Sequence, residues 1–262
     1  MHKRWLIILG SRRAGTARPT NGAGRARCPY RAAGILGVSL LFLALLLAAP
    51  VVRGATTNVP LAALTVSDRA LVRPVVEHST LRREYAARTF RGQRKQFEFL
   101  MDHMAACSML SEALGLISYR VVEVEPNRTF ADDRDGAQGF LQQVYCADGE
   151  RVYYVEGTQQ GMMQATGRGV VIVKFTQTAP DTIEYTGKMF VKIDNKVLAA
   201  LSQIFFVFVK SSVDKHFDHV MNQPIKLSAL ALDEPAMLRE CIETMAPEDS
   251  KALRPFAETL RR

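Results

Sequence analysis

The sequence predicts an α+β domain in which an antiparallel sheet is covered by one long C-terminal helix. Three observations support this fold class. Residues 96–114 show a helical period, residues 118–193 show a series of strand and turn signals, and residues 195–222 return to a helical period. Strands grouped together between helices are typical of an α+β arrangement.

The strand signals come in pairs around short turns. Asp148-Gly149 predicts a tight hairpin because glycine tolerates a positive φ, and Pro180-Asp181 predicts a second turn. In the last strand apolar residues alternate with polar ones, which predicts one dry and one wet sheet face. The expected strands are 84–91, 118–124, 139–146, 151–158, 169–178 and 182–193.

The helical segments are recognised by their spacing and their end signals. Apolar residues recur every three or four positions from Phe97 to Leu114, with a break expected near Ala105-Ala106. Asn195 is a plausible N-cap for the long helix, and Pro224 follows its expected end at Asn222. Two shorter amphipathic helices are expected at 236–245 and 250–260.

The net charge of +8 lies in the N-terminal leader. Residues 1–54 hold nine basic residues and no acidic one, which leaves 25 basic against 26 acidic residues downstream, a net charge of −1. A folded domain this close to neutrality has no positive field that would attract phosphates. We therefore exclude nucleic acid as a partner.

The leader also contains a membrane segment. No charged residue occurs from Ala32 to Val52, and a helix of this length spans about 30 Å, the thickness of the hydrocarbon core. The positive charges before it place the N-terminus in the cytoplasm. We expect an uncleaved anchor with the domain extracytoplasmic, periplasmic or at the cell surface; a cleaved signal peptide and secretion remain the alternative.

These features divide the chain into five parts. Residues 1–31 form a basic cytoplasmic leader, 32–54 the transmembrane anchor or signal segment, and 55–83 a linker lying along the membrane face or the domain. The folded domain is expected at 84–224, followed by a helical C-terminal extension at 225–262.

Four cysteines are present. Cys28 falls on the cytoplasmic side, whereas Cys107, Cys146 and Cys241 fall where disulfides are permitted. Three thiols allow one internal bridge with three possible pairings. No two of these cysteines lie at metal-ligand spacing. We expect them to be small buried side chains.

The order of elements over residues 84–222 resembles the START-like, or helix-grip, superfamily (SRPBCC, Bet v 1-like). The helical stretch 97–114, the hairpin at Asp148-Gly149 and the long helix 195–222 carry this resemblance. It implies a curved sheet wrapped around the helix, with a hydrophobic ligand gripped between them. Most members bind lipids, sterols or polyketides, and a minority are enzymes.

The resemblance also implies a set of residues that line a cavity. They are the apolar residues of the last two strands and the long helix, with two methionines that suit irregular pockets: Val171, Val173, Phe175, Ile183, Tyr185, Met189, Val191, Leu201, Phe205, Phe208, Met162 and Met163. The competing interpretation is that the same residues close-pack into a dry core.

Three functions are therefore weighed, of which the third, an enzyme of the helix-grip type, would need a buried carboxylate or histidine lining the pocket. The first is a non-catalytic binding module for a lipid or another hydrophobic ligand, tethered to the membrane or exported. The second is a structural or assembly protein of the cell envelope. It depends on residues 204–209, six consecutive apolar residues that cover all sides of a helix and could dock on an envelope protein.

Enzyme and metal chemistry receives little support from the sequence. Residues 131–136 fail the calcium-loop pattern at both ends, and His216 and His219 have no third ligand that can be named. His103 is expected at the edge of the core. Glu156 and Glu184 would act in acid–base chemistry only if their strands turn them inward. We expect no enzyme activity, no metal and no cofactor.

Overall fold

The computed structural model describes residues 59–116, 119–134, 136–160, 165–195 and 206–260, with residues 206–212 described by their backbone only. The leader, the expected membrane segment 32–54 and Cys28 lie outside the described residues. Within the described ranges, no helix is both long enough and apolar enough to cross a bilayer.

Six helices, a 3-10 turn and seven strands are described. The 3-10 turn is Leu61–Ala63, and the helices are α1 Val66–Glu77, α2 Arg94–Asp102, α3 Met104–Ala113, α4 Phe206–Asp233, α5 Pro235–Thr244 and α6 Pro247–Thr259. The strands are β1 Leu81–Arg91, β2 Arg120–Glu125, β3 Arg128–Asp132, β4 Ala137–Ala147, β5 Glu150–Gln159, β6 Ala165–Ala179 and β7 Thr182–Ile193.

All seven strands form one antiparallel sheet in the order β1-β7-β6-β5-β4-β3-β2. The α+β class and the antiparallel sheet are therefore confirmed. The hairpin at Asp148-Gly149 joins β4 to β5, and Gly149 has a φ of +68°. Strand β3 is an addition to the predicted set, since the sequence signals end at Pro126-Asn127.

Helix α4 lies inside the curve of the sheet. The carboxylate of Asp214 on α4 accepts two hydrogen bonds from Arg83 on β1, at 2.8 and 2.6 Å. On the other side of the same helix, the Tyr119 hydroxyl, next to β2, donates to the Val220 carbonyl at 3.3 Å. Because β1 and β2 are the two opposite edges of the sheet, the sheet must wrap around α4. We call the face toward α4 the inner face.

A row of glycines crosses the sheet where it bends. Gly139, Gly157 and Gly167 are directly paired across β4, β5 and β6. A Cβ atom on Gly139 would lie 2.3 Å from the Glu156 carbonyl oxygen, and one on Gly157 would lie 2.6 Å from the Gln138 oxygen. Such close approach of neighbouring backbones admits only glycine. The row therefore permits the strong curvature.

The outer face of the sheet is covered by α1, which corrects two expectations. Residues 66–77, interpreted as linker, form a helix whose Val72, Val75 and Val76 are buried against β4–β7. Phe190 of β7 is buried in this layer, and Lys192 donates to the Pro74 carbonyl at 3.5 Å. The outer face is therefore apolar beneath α1, where the sequence predicted a wet face.

Helix α4 continues past its predicted end at Asn222 and reaches Asp233. Pro224 lies inside it and removes the N–H that would bond to the Val220 carbonyl four residues earlier. That carbonyl accepts the Tyr119 hydroxyl instead. The proline is tolerated because a residue distant in the sequence satisfies the orphaned acceptor.

The remaining helices pack on one another beside the sheet. Helices α2 and α3 meet at His103, two residues before the predicted break, and they contact α4 and α6. Helix α5 packs in turn on α4 and α6. Fully buried members of this cluster are Leu100, Leu110, Leu227, Leu238, Leu253 and Phe256. The C-terminal extension thus covers the helical pair.

Candidate functional site

A cavity of about 590 Å³ lies between the α2–α3 pair and strands β2–β5. We call this cavity the hollow. Its apolar wall includes Met101, Met104, Ala105, Met109, Val121 and Leu141. Its polar lining includes Asp102, His103, Glu112, Arg120, Glu123, Asn127, Thr129, Gln143, Tyr153 and Asp249. This size falls within the range of roughly 300–1,000 Å³ that is typical of small-molecule sites.

The junction of α2 and α3 forms one side of the hollow. His103 leaves the helical conformation, with φ −122° and ψ 64°, so the chain turns between Met101 and Met104. Ser108 on α3 is buried, and its hydroxyl oxygen accepts a hydrogen bond from the backbone N–H of Val121 at 3.0 Å. This bond attaches α3 to the edge strand β2 and closes one wall.

An ion pair between a buried arginine and a partly exposed aspartate forms the inner end of the hollow. Arg151, only 4% exposed, donates from Nε and Nη2 to the two oxygens of Asp102 at 2.5 and 2.9 Å. Gln143 donates to the same carboxylate at 2.9 Å. Asp102 and Gln143 line the hollow, while the guanidinium of Arg151 lies behind them. A bidentate Arg–carboxylate pair is rigid and geometrically specific.

Tyr153 stands beside this pair on the inner face of β5. Its hydroxyl donates to the Met101 carbonyl at 2.9 Å, and its side chain is buried. Burial raises the pKa of Tyr153 above its ordinary value, with a further contribution from Asp102. The phenol therefore stays protonated at neutral pH and links β5 to the end of α2.

The predicted lining residues of β6 and β7 come together on the inner face, next to the hollow and not around it. Val173, Phe175, Ile183 and Tyr185 are buried in a cluster with Phe97, Phe217 and Met221. Val171 and Met189 are partly buried against the same cluster, and Val191 is half-buried on β7. None of the seven predicted lining residues on β6 and β7 lines the hollow.

The other predicted lining residues cannot be placed. Met162, Met163, Leu201 and Phe205 lie outside the described residues, and Phe208 lies in α4 where only the backbone is described. The docking stripe 204–209 falls in the same region. Its role stays a prediction.

The two glutamates considered for acid–base chemistry are on the wrong face. Glu156 pairs directly with Phe140 on the outer face and forms an ion pair with Arg128 at 3.1 Å. It borders a small outer recess of about 220 Å³ beside Leu71 of α1. Glu184 is exposed on the outer face of β7. Neither carboxylate reaches the hollow.

The remaining metal candidates are occupied by structural contacts. Asp132 and Asp133 accept hydrogen bonds from the backbone N–H groups of Arg134 and Ala137, both at 2.8 Å, which is a turn. His216 approaches Asp133 at 3.6 Å, and His219 packs on the Tyr119 ring. Among the described residues, no group of three or more His, Cys, Asp or Glu could hold a metal ion.

The three described cysteines are free. Cys107 is buried, Cys241 is half-buried and Cys146 is exposed. Burial raises the pKa of the Cys107 thiol to about 12. The preference for buried thiols therefore holds for Cys107 and fails for Cys146, whose Sγ lies 4.0 Å from Asp102.

The ion pair at the inner end was missed by sequence reasoning. A signal was present, because Arg151 shares the inner face with Tyr153 and lies opposite the apolar Val173 of β6. A charge on a dry face needs a buried partner. The partner could not be named, since Asp102 lies 49 residues earlier in the chain.

The comparisons with known proteins add a likeness in fold. No protein-family model matches the chain, and no curated protein matches it. A conserved protein from Geobacillus kaustophilus shares 13% identity, with 56% of this chain and 96% of that chain covered and a TM-score of 0.40. A START superfamily protein from Mycobacterium smegmatis shares 9% identity, with 56% and 97% covered and a TM-score of 0.39.

Norcoclaurine synthase from Thalictrum flavum, solved in complex with dopamine and hydroxybenzaldehyde, shares 11% identity, with 62% of this chain and 92% of that chain covered and a TM-score of 0.41. These solved structures are similar to the chain in fold only, and membership of the START-like superfamily stays a prediction. At these identities and TM-scores, they give no ligand, substrate or reaction for this chain.

Proposed function

We propose that the domain is a non-catalytic binding module for an amphipathic ligand, which it holds in the hollow between the α2–α3 pair and β2–β5. The observation that carries this proposal is the cavity itself, about 590 Å³ in volume, with an apolar wall and an ordered polar inner end. Concave sites that combine apolar walls with precisely placed polar groups are typical of small-molecule binding.

The apolar wall suits the body of such a ligand. Met101, Met104 and Met109 line it from the two helices, and Leu141 faces them from β4. Methionine side chains are unbranched and polarizable, so they adapt to ligands of irregular shape. Burying apolar ligand surface here contributes about 25 cal/mol per Å² before the costs of association.

A binding role fits the polar groups better than a catalytic one. Asp102 is held by Arg151 and Gln143, and the proton of Tyr153 is bonded to the Met101 carbonyl. A general base needs a pKa near the working pH. Burial moves the pKa of Tyr153 away from that range.

The tether is part of the same proposal. The uncharged segment Ala32–Val52 would hold the domain at a membrane surface, where amphipathic molecules are concentrated. Such a module would take up, present or transfer its ligand on the extracytoplasmic side.

The test compares two alanine-to-tryptophan variants of the full chain. Ala105 lines the hollow on α3, whereas Ala113 at the end of the same helix is exposed and outside the lining. Each variant and the unmutated chain are purified from membranes, and their organic extracts are compared by mass spectrometry. Lipid bound around the expected membrane segment is the same in all three samples, so it does not affect the comparison of their extracts.

We expect a discrete amphipathic species in the unmutated chain and in Ala113→Trp that is reduced about tenfold or more in Ala105→Trp, since the indole occupies the space of the ligand. Circular dichroism verifies that both variants are folded. Equal extracts from all three folded proteins would refute binding in the hollow.

A further inference from the structure

Three polar groups of the hollow, on β3, β4 and β5, direct their hydrogen-bond donors into the protein. The Tyr153 hydroxyl donates to the Met101 carbonyl, the Thr129 hydroxyl to the Leu141 carbonyl at 3.4 Å, and the Gln143 amide to Asp102. A hydroxyl that has given its proton away retains lone pairs, and the Gln143 side chain retains its carbonyl oxygen. At the inner end, where Asp102, Gln143 and Tyr153 lie, a ligand therefore meets mainly acceptors.

The guanidinium of Arg151, the buried cation at the inner end of the hollow, already has hydrogen-bond partners within the protein. Four of the five N–H groups of Arg151 are used: two by Asp102, one by the Ala147 carbonyl at 2.5 Å and one by the Glu150 carbonyl at 3.1 Å. The guanidinium also lies 5.4 Å from the centre of the Phe175 ring. Because Asp102 stands between Arg151 and the hollow, a ligand meets a carboxylate first.

The other charged residues that line the hollow add no excess of positive charge. Glu123 and Asp249 line it together with Arg120, and Glu112 lines it while paired to Arg134 at 3.2 Å. A carboxylate or phosphate head group brought to the inner end would lose its hydration without gaining a cation, which is costly.

We propose that the hollow selects amphipathic ligands whose head group is an uncharged or cationic hydrogen-bond donor, such as a hydroxyl or an ammonium, and rejects fatty acids and other anionic amphiphiles. The head group donates to Asp102 and Gln143 at the inner end while the apolar body lies along Met101, Met104 and Leu141. This inference rests on the proposed binding function and names the ligand class for the same site.

The test uses three photoactivatable probes with one diazirine-bearing alkyl chain and three head groups: a primary alcohol, a primary ammonium and a carboxylate. The full chain is labelled in membranes, and the labelled peptide that contains residues 101–112 is quantified by mass spectrometry. Labelling of the membrane segment in the same sample corrects for how strongly each probe partitions into the bilayer.

We expect the alcohol and the ammonium probes to label this peptide about tenfold or more above the carboxylate probe. A carboxylate signal equal to or above the other two would overturn the selectivity and leave the binding function intact. Absence of labelling by all three probes would instead count against the binding function itself.

Asp102→Asn tests the reason for the selectivity. This variant removes the charge that occupies Arg151 and keeps the shape of the side chain, so the carboxylate probe should gain labelling and approach the alcohol probe. In folded Asp102→Asn, unchanged discrimination against the carboxylate would contradict the role of the ion pair. The ranking in the unmutated chain decides the proposal if this variant does not fold.

Discussion

The ring of Phe217 on α4 stacks on the ring of Tyr85 on β1, with centroids 3.9 Å apart and an angle of 6° between the planes. Gly187 on β7 lies directly beneath this stack, opposite Tyr85 in the sheet register. The absence of a side chain at position 187 lets the helix approach the sheet at this point. The contact fixes where α4 sits inside the curve.

Gly187→Ala should therefore destabilise the domain. An added Cβ would lie 2.4 Å from Cζ of Phe217, and both residues are buried, so the helix must shift. We expect a loss of about 1–3 kcal/mol in the free energy of unfolding, measured by urea titration with circular dichroism.

Gly169→Ala is the matched control, since the nearest atom to its Cβ would be 3.6 Å away. It should change stability by less than half as much. Equal losses in the two variants would mean that the stack does not set the position of α4.

Helix α1 is expected to be an integral layer of the domain. Val72→Asp would place a charge at a fully buried position between α1 and the sheet, at a cost of about 3 kcal/mol or more. Val66→Asp, in the first turn of the same helix, changes a side chain that is 85% exposed and should be neutral. Similar urea midpoints for the two variants would show that α1 is only loosely attached.

Tyr119 and Pro224 should be energetically coupled. Tyr119→Phe removes the hydroxyl that satisfies the Val220 carbonyl and should cost about 1 kcal/mol. Pro224→Ala restores a backbone N–H that can bond to the same carbonyl, so Tyr119→Phe should cost less in the Pro224→Ala background. A double-mutant cycle measures this coupling, and strictly additive losses would refute it.

The buried thiol of Cys107 predicts a loss of stability at high pH. Its pKa is about 12 in the folded protein against an ordinary value of 9.0, so only the unfolded chain releases this proton as the pH rises above 9. The folded state binds more protons in this interval, and stability must fall with rising pH.

Between pH 9 and 10 we expect Cys107 to account for about 1 kcal/mol of this fall. Cys107→Ala should lose correspondingly less stability over the same interval, as measured by urea titration at each pH. Iodoacetamide should modify the exposed Cys146 in the folded chain and Cys107 only in urea. Rapid modification of Cys107 without urea would contradict its burial.

The features predicted correctly from the sequence depend on local rules. Gly149 makes the β4–β5 turn because of its own positive φ, and the alternation in β7 follows from the pleat of a single strand. The features predicted wrongly depend on distant residues. Pro224 alone predicts a helix end. The helix continues because Tyr119, 101 residues before Val220, satisfies the Val220 carbonyl that the proline leaves without an N–H partner.

The candidate site was predicted less well than the fold for the same reason. Val173, Phe175 and Ile183, predicted as cavity lining, lie on the inner face, where Phe97 and Phe217 pack against them in one cluster. The hollow lies instead where α2 and α3 stand away from β2–β5. That separation results from the packing of several elements and leaves no periodic pattern in the sequence.

The most direct test of the binding site is the position of a photo-crosslink. The full chain in membranes is labelled with the alkyl alcohol probe, digested and sequenced by mass spectrometry to locate each adduct. Our account predicts adducts on the lining segments 101–112 and 120–129 that are lost in Ala105→Trp and kept in Ala113→Trp. Adducts confined to residues 32–54, with none in the lining segments, would contradict it.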